Sequence, residues 1–78
     1  MEVYLSKQSI KFLDAQDDKT ALRIVSAINK LPSGDTKKLK GYVNQTYRLS
    51  IGSFRVIYTL ENDMIFIKKI NNRGQVYK

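Results

Sequence analysis

The 78-residue sequence contains no cysteine and no histidine. Without cysteine the chain has no disulfide and no thiolate metal ligand, which fits a reducing compartment. Without histidine it lacks the commonest metal ligand and the commonest acid–base group near neutral pH. Ser-His-Asp and Cys-His catalysis are therefore excluded, and so is zinc binding with the usual ligand spacing.

Carboxylates and long apolar runs are also scarce. Of the seven Asp and Glu residues, five lie in the first 35 residues, which leaves little for a paired-carboxylate mechanism. No Gly-rich loop has the spacing that cradles phosphates. No apolar run approaches the roughly 20 residues that span a bilayer, and the start of the chain lacks a signal-peptide layout. We therefore expect a small cytoplasmic protein that needs no cofactor or metal and has no membrane partner.

The positive charge of the chain is concentrated in its second part. The formal net charge is +7, yet in residues 1–35 five cations cancel five carboxylates. Residues 36–78 carry nine Lys and Arg residues against only Glu61 and Asp63. Such an uneven field suggests a polyanion or an acidic protein as partner, with a merely solvated basic surface as the alternative.

Hydrophobic spacing predicts two helices in the first part of the chain. Ser6 is a good N-cap for a helix that runs to about residue 15, with Ile10 and Leu13 facing inward. Asp17 caps a second helix, which Pro32 closes. The apolar residues of this second helix recur at helical spacing and are expected in the core: Ala21, Ile24, Val25, Ile28 and Leu31.

Short apolar runs predict strands before and after these helices. We expect strands at residues 2–5, 47–51, 54–58 and 64–70, with a last short extended piece around Val76 and Tyr77. Lys37, Lys38 and Lys40 form a basic segment leading into the sheet. The prediction is one α+β domain over residues 1–78, in the order β-α-α-β-β-β, with two antiparallel helices on one face of a mainly antiparallel sheet.

The hairpin around Gly52-Ser53 carries the first functional hint. Alternation places Tyr47, Leu49 and Ile51 on one face, so Arg48 shares the other face with Ser50. The second strand likewise sets Arg55 among apolar neighbours. An arginine within a sheet is costly unless its guanidinium reaches water, a carboxylate or a phosphate. Tyr47 and Tyr58 are expected to be core or sheet-face aromatics.

Arginines with a tyrosine and no metal suit cleavage of RNA, because the ribose 2′-hydroxyl can itself attack the neighbouring phosphate. The protein must align that attack and stabilise the charge that grows on the phosphate oxygens. Forked guanidinium donors match two oxygens at once. The candidate catalytic residues are Arg48, Arg55, Arg73 and Tyr77, where surrounding arginines would shift the tyrosine towards ionisation. The candidate RNA contacts are Lys37, Lys38, Lys40 and Ser50.

Each candidate also has an ordinary explanation. Arg55 could pair with Glu61 or Asp63 across the following turn. Arg73 could be a solvated loop residue, and Tyr77 could be a ring that packs on the sheet.

The order of these segments resembles the RelE/ParE superfamily of bacterial toxins, the toxin halves of type II toxin–antitoxin pairs. The resemblance covers nearly the whole chain and rests on residues 38–41, 47–52 and 54–58, followed by an apolar strand that leads to Asn72-Arg73 and Val76-Tyr77. In the RelE branch the fold resembles small microbial ribonucleases, and the toxin cuts messenger RNA in the ribosomal A site. The ParE branch uses the same scaffold to inhibit DNA gyrase.

The resemblance implies roles for individual residues in the RelE branch. Arg55 matches the arginine that holds the scissile phosphate. Arg73 matches the arginine that stabilises the transition state and the leaving group. Tyr77 matches the tyrosine that orients or activates the nucleophile. Arg48 falls at a position that is often lysine. Ser50 departs from the pattern because RelE has a second lysine there.

Two further departures lie towards the end of the chain. Many relatives have His or Lys where this chain has Asn72, and the sequence ends at Lys78 without the C-terminal helix that some members have. The departures leave open a homologue that has lost catalysis and acts only as a binding partner. The set Arg55, Arg73 and Tyr77 favours a ribosome-dependent, metal-independent mRNA endonuclease over gyrase inhibition. The resemblance implies an acidic antitoxin, the ribosome and mRNA as partners, with operator DNA bound only through the antitoxin complex.

Overall fold

A computed structural model describes residues 2–41 and 45–72, which contain two helices and five strands. In chain order the elements are β1 (Glu2–Leu5), α1 (Lys7–Asp14), α2 (Asp18–Asn29), β2 (Thr36–Lys38), β3 (Thr46–Ile51), β4 (Phe54–Glu61) and β5 (Met64–Asn72). The predicted α+β class is confirmed, but the predicted order is short by one strand because Lys37 and Lys38 lie within β2. The extended piece predicted at Val76 and Tyr77 lies outside the described residues.

Side-chain caps begin both helices where the sequence predicts them. Ser6 accepts a hydrogen bond from the backbone N–H of Ser9, and Asp17 accepts one from Thr20. The hydrogen bond from Thr20 lowers the pKa of the Asp17 carboxyl, because it favours the charged form. Helix α2 ends at Asn29, three residues before the Pro32 that we expected to close it, and the Leu31–Pro32 peptide bond is cis.

The strands form one mixed sheet in the order β1-β5-β4-β3-β2. Strand β1 runs parallel to β5, and the other neighbours are antiparallel. Two-residue turns join β3 to β4 and β4 to β5. The second turn places Asn62 and Asp63 at φ of 49° and 66°, a left-handed pair that matches the right-handed twist of its strands.

One face of the sheet is covered by both helices and carries the core. Ile24 and Ile28 of α2 pack there on strand residues that alternate along the chain, and Phe12 of α1 meets Phe54 edge to face with ring centroids 5.9 Å apart. The buried strand residues on this face are Leu49, Ile51, Phe54, Val56, Tyr58, Ile65, Ile67 and Ile70. Burying such side chains stabilises the domain by about 1.5–3 kcal/mol each. We call the opposite face the open face.

A bulge at Lys68 interrupts the alternation of core-facing and outward-facing side chains along β5. Ile57 of β4 pairs with Lys69, whereas the next residue, Tyr58, pairs with Ile67, so Lys68 is an extra residue. The bulge lets Ile67 and Ile70 both face the core although they are three residues apart. Lys68 and Lys69 between them are both exposed.

The first turn of α1 is bonded to the backbone of β5 beside this bulge. The Ser6 hydroxyl donates to the Lys68 carbonyl at 2.9 Å, and the Gln8 amide both donates to and accepts from the backbone of Ile70, at 2.9 and 3.0 Å. The side chain of Gln8 thus continues the hydrogen bonding of β5 beyond the end of β1. The inward face of α1 consequently contains Ser9, which is fully buried. The prediction that Ile10 faces inward is wrong, since Ile10 is 45% exposed.

Candidate nucleic-acid interface

The register of the strands places the candidate residues of β2, β3 and β4 on the open face, with one exception. Lys37 pairs with Arg48, Arg48 pairs with Ile57, and Ile57 pairs with Lys69. We call this line across four strands the basic row: Lys37, Arg48, Ile57 and Lys69. The exception is Lys38, which pairs with Tyr47 and therefore belongs to the face on which the helices pack. We expected Lys37 and Lys38 to contact RNA together, but neighbouring residues of a strand face opposite sides.

Arg55 and Ser50 lie in the next line of side chains on the open face. They are direct partners in the β3–β4 ladder, and Asn71 of β5 lies opposite Arg55 on its other side. Arg48 and Arg55 are diagonal neighbours, for which Cα atoms are typically about 7–8 Å apart. The fold therefore brings Arg48, Arg55 and Ser50 together. Lys40 is exposed and lies after β2, outside the paired strands.

Nε of Arg48 is buried and has no hydrogen-bond acceptor in the part of the chain that the structure describes. Buried N–H groups are nearly always paired, because an unpaired one keeps the cost of its lost hydration. The donor lies between Lys37 and Ile57 in the basic row. The Nε–H group of Arg48 is suited to donate a hydrogen bond to an acceptor atom of a bound ligand. The positive charge of the neighbouring Lys37 favours an anionic ligand.

Arg55 makes hydrogen bonds within its own hairpin. Its Nη1 donates to the carbonyls of Gly52 at 2.7 Å and Phe54 at 2.9 Å. These bonds hold the guanidinium at the β3–β4 turn. Among the described residues they engage one of its three nitrogens, which leaves Nε and Nη2 with N–H groups for a bidentate contact. The alternative partners Glu61 and Asp63 are ruled out, because six residues of strand separate Arg55 from Glu61 by about 20 Å.

Arg73 and Tyr77 lie outside the described residues, so their predicted roles remain predictions. The described part of β5 ends at Asn72, which pairs with Phe54, the residue before Arg55. Tyr47 and Tyr58 are sheet-face and core aromatics as predicted: their rings stack with centroids 5.4 Å apart, and Tyr58 is 2% exposed. Burial raises the pKa of the Tyr58 phenol, so this group is unsuited to act as a base.

Sequence reasoning missed Lys69 as a member of the basic row. The signal that could have found it was the pair Lys68-Lys69 inside an apolar strand. Two consecutive charged residues break the alternation of a half-buried strand unless a bulge keeps the flanking isoleucines on one face.

A groove of about 350 Å³ lies between α2 and β3, on the side of the helices. Its lining includes Leu49 and Ile51 of β3, together with Arg23 of α2 and Lys30, the residue directly after α2 and seven residues from Arg23. That spacing is about 10 Å along a helix. The guanidinium of Arg23 reaches the β3–β4 turn, where it would lie 2.7 Å from a Cβ added to Gly52. Neither of the two helices in the described ranges is long and apolar enough to cross a membrane.

No protein-family model and no curated protein sequence matches this chain. Solved structures do match over nearly the whole of its length. The archaeal RelE–RelB complex from Pyrococcus horikoshii OT3 contains a chain with 26% identity and a TM-score of 0.77, covering 95% of this chain and 96% of that one. The RelB–RelE antitoxin–toxin complex from Methanococcus jannaschii gives 25% identity and a TM-score of 0.76, covering 95% and 94%.

The toxin–antitoxin complex RelBE2 from Mycobacterium tuberculosis matches with a TM-score of 0.75 at 15% identity, covering 92% of this chain and 96% of its own. At that identity it supports the fold alone. The two archaeal complexes add sequence identities of 26% and 25%, each over 95% of this chain. This chain therefore resembles the RelE toxins of type II toxin–antitoxin systems and shares their fold.

Proposed function

We propose that this protein is the toxin of a type II toxin–antitoxin system and a metal-independent endoribonuclease that cuts messenger RNA on the ribosome. The observation that carries the proposal is the basic open face, where Arg48 holds a buried donor without an acceptor among the described residues and Arg55 lies diagonal to it. The likeness to chains crystallised as RelE–RelB complexes supports the toxin assignment.

The proposed reaction is attack by a ribose 2′-oxygen on the adjacent phosphorus. The P–O bond to the 5′-oxygen of the next nucleotide breaks, leaving a 2′,3′-cyclic phosphate and a 5′-hydroxyl. One proton leaves the 2′-hydroxyl, and one is delivered to the departing 5′-oxygen. Arg48 and Arg55 stabilise the charge on the phosphate oxygens. We propose that Arg73 supports the leaving group and that Tyr77 aligns or activates the nucleophile, as the family resemblance implies.

The basic row explains how such an enzyme would hold RNA without reading its sequence. Lys37 and Lys69 lie at the two ends of the row, and contacts of this kind to phosphates position a strand and strengthen its binding. Translating ribosomes in the cytoplasm would supply the message. The same positive field would attract an acidic antitoxin that covers the face, and operator DNA would be bound through that complex.

We further propose that the antitoxin reaches the groove beside α2. Arg23 and Lys30 flank an apolar floor there, so an acidic segment with an apolar side chain between its carboxylates complements it. Leu22 of α2 is 67% exposed and would add apolar area to such an interface.

Induction in cells without antitoxin tests the proposal. We expect Arg55→Ala, Arg73→Ala and Tyr77→Phe each to relieve growth arrest, while Lys11→Ala, at an exposed position of α1, leaves it intact. Cut sites in translated messages should appear with the wild type and disappear with Arg55→Ala. Intact messages together with inhibited DNA supercoiling would instead favour a gyrase inhibitor. Harmless over-expression of a folded protein would favour a homologue without catalysis.

A further inference from the structure

A stacked pair of aromatic rings lies on the open face, one line of side chains away from the basic row. Tyr4 of the edge strand β1 pairs with Phe66 of β5, and their ring centroids are 5.4 Å apart with 18° between the planes. Phe66 lies three residues before Lys69 in β5. The catalytic assignment uses neither ring, and the family resemblance gives neither a role.

The outer ring of this pair is accessible and is held in place. Tyr4 is 47% exposed although its ring packs on that of Phe66. Its hydroxyl donates to a carboxylate oxygen of Glu2 at 2.7 Å. That bond, which the ionised phenol could not donate, raises the pKa of the Tyr4 phenol above its ordinary value. A fixed ring loses little conformational freedom when a flat ligand stacks on it.

Cations are placed where the backbone of such a ligand would run. Lys68 lies two residues after Phe66 in β5. Because of the bulge at Lys68, both Lys68 and the next residue, Lys69, are exposed. Two residues of strand correspond to about 7 Å. Here the exposed ring lies on β1 and the cations lie on the neighbouring strand β5. Proteins hold single-stranded nucleic acids by combining such groups: bases stack on the rings, and the phosphates follow the positive charge.

We propose that the Tyr4–Phe66 pair is a stacking site for one unpaired base of the bound RNA, away from the scissile phosphate, with Lys68 and Lys69 contacting the backbone beside it. The site rests on the proposed function, because it needs an RNA strand on the open face. It adds a base contact to the phosphate contacts that the basic row offers. Stacking accepts every base, with the larger purine rings covering more of the aromatic surface.

Abasic scanning of a short RNA tests the stacking site separately from catalysis. The probe is a fluorescein-labelled, single-stranded 10-mer RNA with 2′-deoxyribose at the cut position, so that it binds without being cut. Kd is measured by anisotropy at low salt, with an abasic residue placed at each position in turn. For the wild type, one abasic position should weaken binding by about 5- to 160-fold, the range for one stacked base.

The same scan with Tyr4→Ala should show no extra loss at that position, because the ring that the base needs is already gone. Tyr4→Phe keeps the ring and loses only its bond to Glu2, so the extra loss at that abasic position should remain. Phe66→Leu keeps an apolar side chain under Tyr4 but removes the ring, and should weaken the stack. Glu2→Gln removes a negative charge beside the site and should tighten binding of every probe by a similar factor.

Failure of the stacking site can be told apart from failure of the proposed function. If the wild type binds and cuts RNA but no abasic position depends on Tyr4, the stacking site is wrong and the nuclease stands. If the wild type neither binds the probe nor cuts messages on the ribosome, both are wrong. If it cuts messages on the ribosome but does not bind the probe, the stacking site alone is wrong. If Tyr4→Ala leaves every RNA Kd unchanged but disrupts a complex with another protein or a second copy of the chain, the pair is a protein contact and the proposal is overturned.

Discussion

Ser50 lies directly opposite Arg55 in the antiparallel ladder of β3 and β4. The resemblance places a lysine of RelE at this position, so this chain has a hydroxyl where a second cation would face the scissile phosphate. We predict that Ser50→Lys speeds RNA cleavage and tightens RNA binding. In a plot of the logarithm of the RNA-binding constant against the logarithm of the salt concentration, the slope should steepen by about 0.7 for one additional phosphate contact to a single strand.

The same substitution should lower the stability of the fold. Like charges directly opposite each other in a ladder destabilise a sheet, by about 0.2–1 kcal/mol. Ser50→Gln, which adds length without charge, is the matched control for both measurements. If Ser50→Lys cleaves and binds no better than Ser50→Gln, the missing lysine has no bearing on activity.

Because the side chain of Gln8 bonds to the backbone of Ile70, we expect its removal to lower the stability of the fold more than is usual for an exposed polar residue. Gln8→Ala removes both bonds and leaves an N–H and a carbonyl of β5 without their partners. We expect a loss of about 1–3 kcal/mol in the free energy of unfolding, measured by urea denaturation, and faster hydrogen exchange at the Ile70 amide. Gln16→Ala, which removes a single 3.2 Å bond to a carbonyl of α1, should cost clearly less. Equal losses would show that Gln8 does not hold α1 on the sheet.

The cap of α2 predicts a dependence of stability on pH. The hydrogen bond from Thr20 holds the pKa of Asp17 below its ordinary value of 3.8. The folded state therefore favours the carboxylate, and this contribution is complete above about pH 5 and disappears as the pH falls through the folded pKa. Asp17→Asn keeps a cap that does not titrate. Thermal unfolding should find the wild type more stable than Asp17→Asn at pH 6, with the difference vanishing near pH 2. A difference independent of pH would contradict this assignment.

The groove beside α2 predicts that binding of the antitoxin can be separated from toxicity. Arg23→Glu reverses a charge on the lip of the groove, on the side of the sheet opposite the basic row. We expect cells that carry this variant to show growth arrest that the protein encoded by a neighbouring acidic reading frame no longer relieves. Lys7→Glu, an exposed reversal on α1, should remain neutralised. Loss of toxicity in Arg23→Glu with an unchanged fold would mean that the groove belongs to the active face.

The sequence predicted most of the fold because local signals and global packing agree. Ser6 and Asp17 are strong caps, and the alternation in β3 and β4 leaves one register for the hairpin. Strand β2 was missed because three polar residues at a sheet edge carry no hydrophobic period. Ile10 was misplaced because the docking of Ser6 and Gln8 on β5, a contact across more than 60 residues, sets the rotation of α1.

The candidate site was predictable only in part, because some of its residues are brought together by contacts between distant parts of the chain. Alternation alone put Arg48 and Ser50 on one face. Placing Arg55 beside them required the register of the hairpin, and placing Lys69 there required the bulge between Ile57 and Tyr58. The Tyr4–Phe66 pair depends on the parallel pairing of the first strand with the last, which no short-range pattern encodes.

The most direct test of the central claim is the chemistry of the RNA ends. Purified protein is added to ribosomes translating a defined message, and the termini of the fragments are identified by mass spectrometry. We predict a 2′,3′-cyclic phosphate on one fragment and a 5′-hydroxyl on the next, with no cleavage when the cut nucleotide carries 2′-deoxyribose or when Arg55 is replaced by Ala. Fragments that end in a 3′-hydroxyl and a 5′-phosphate, or a message that stays intact, would contradict attack by the 2′-hydroxyl.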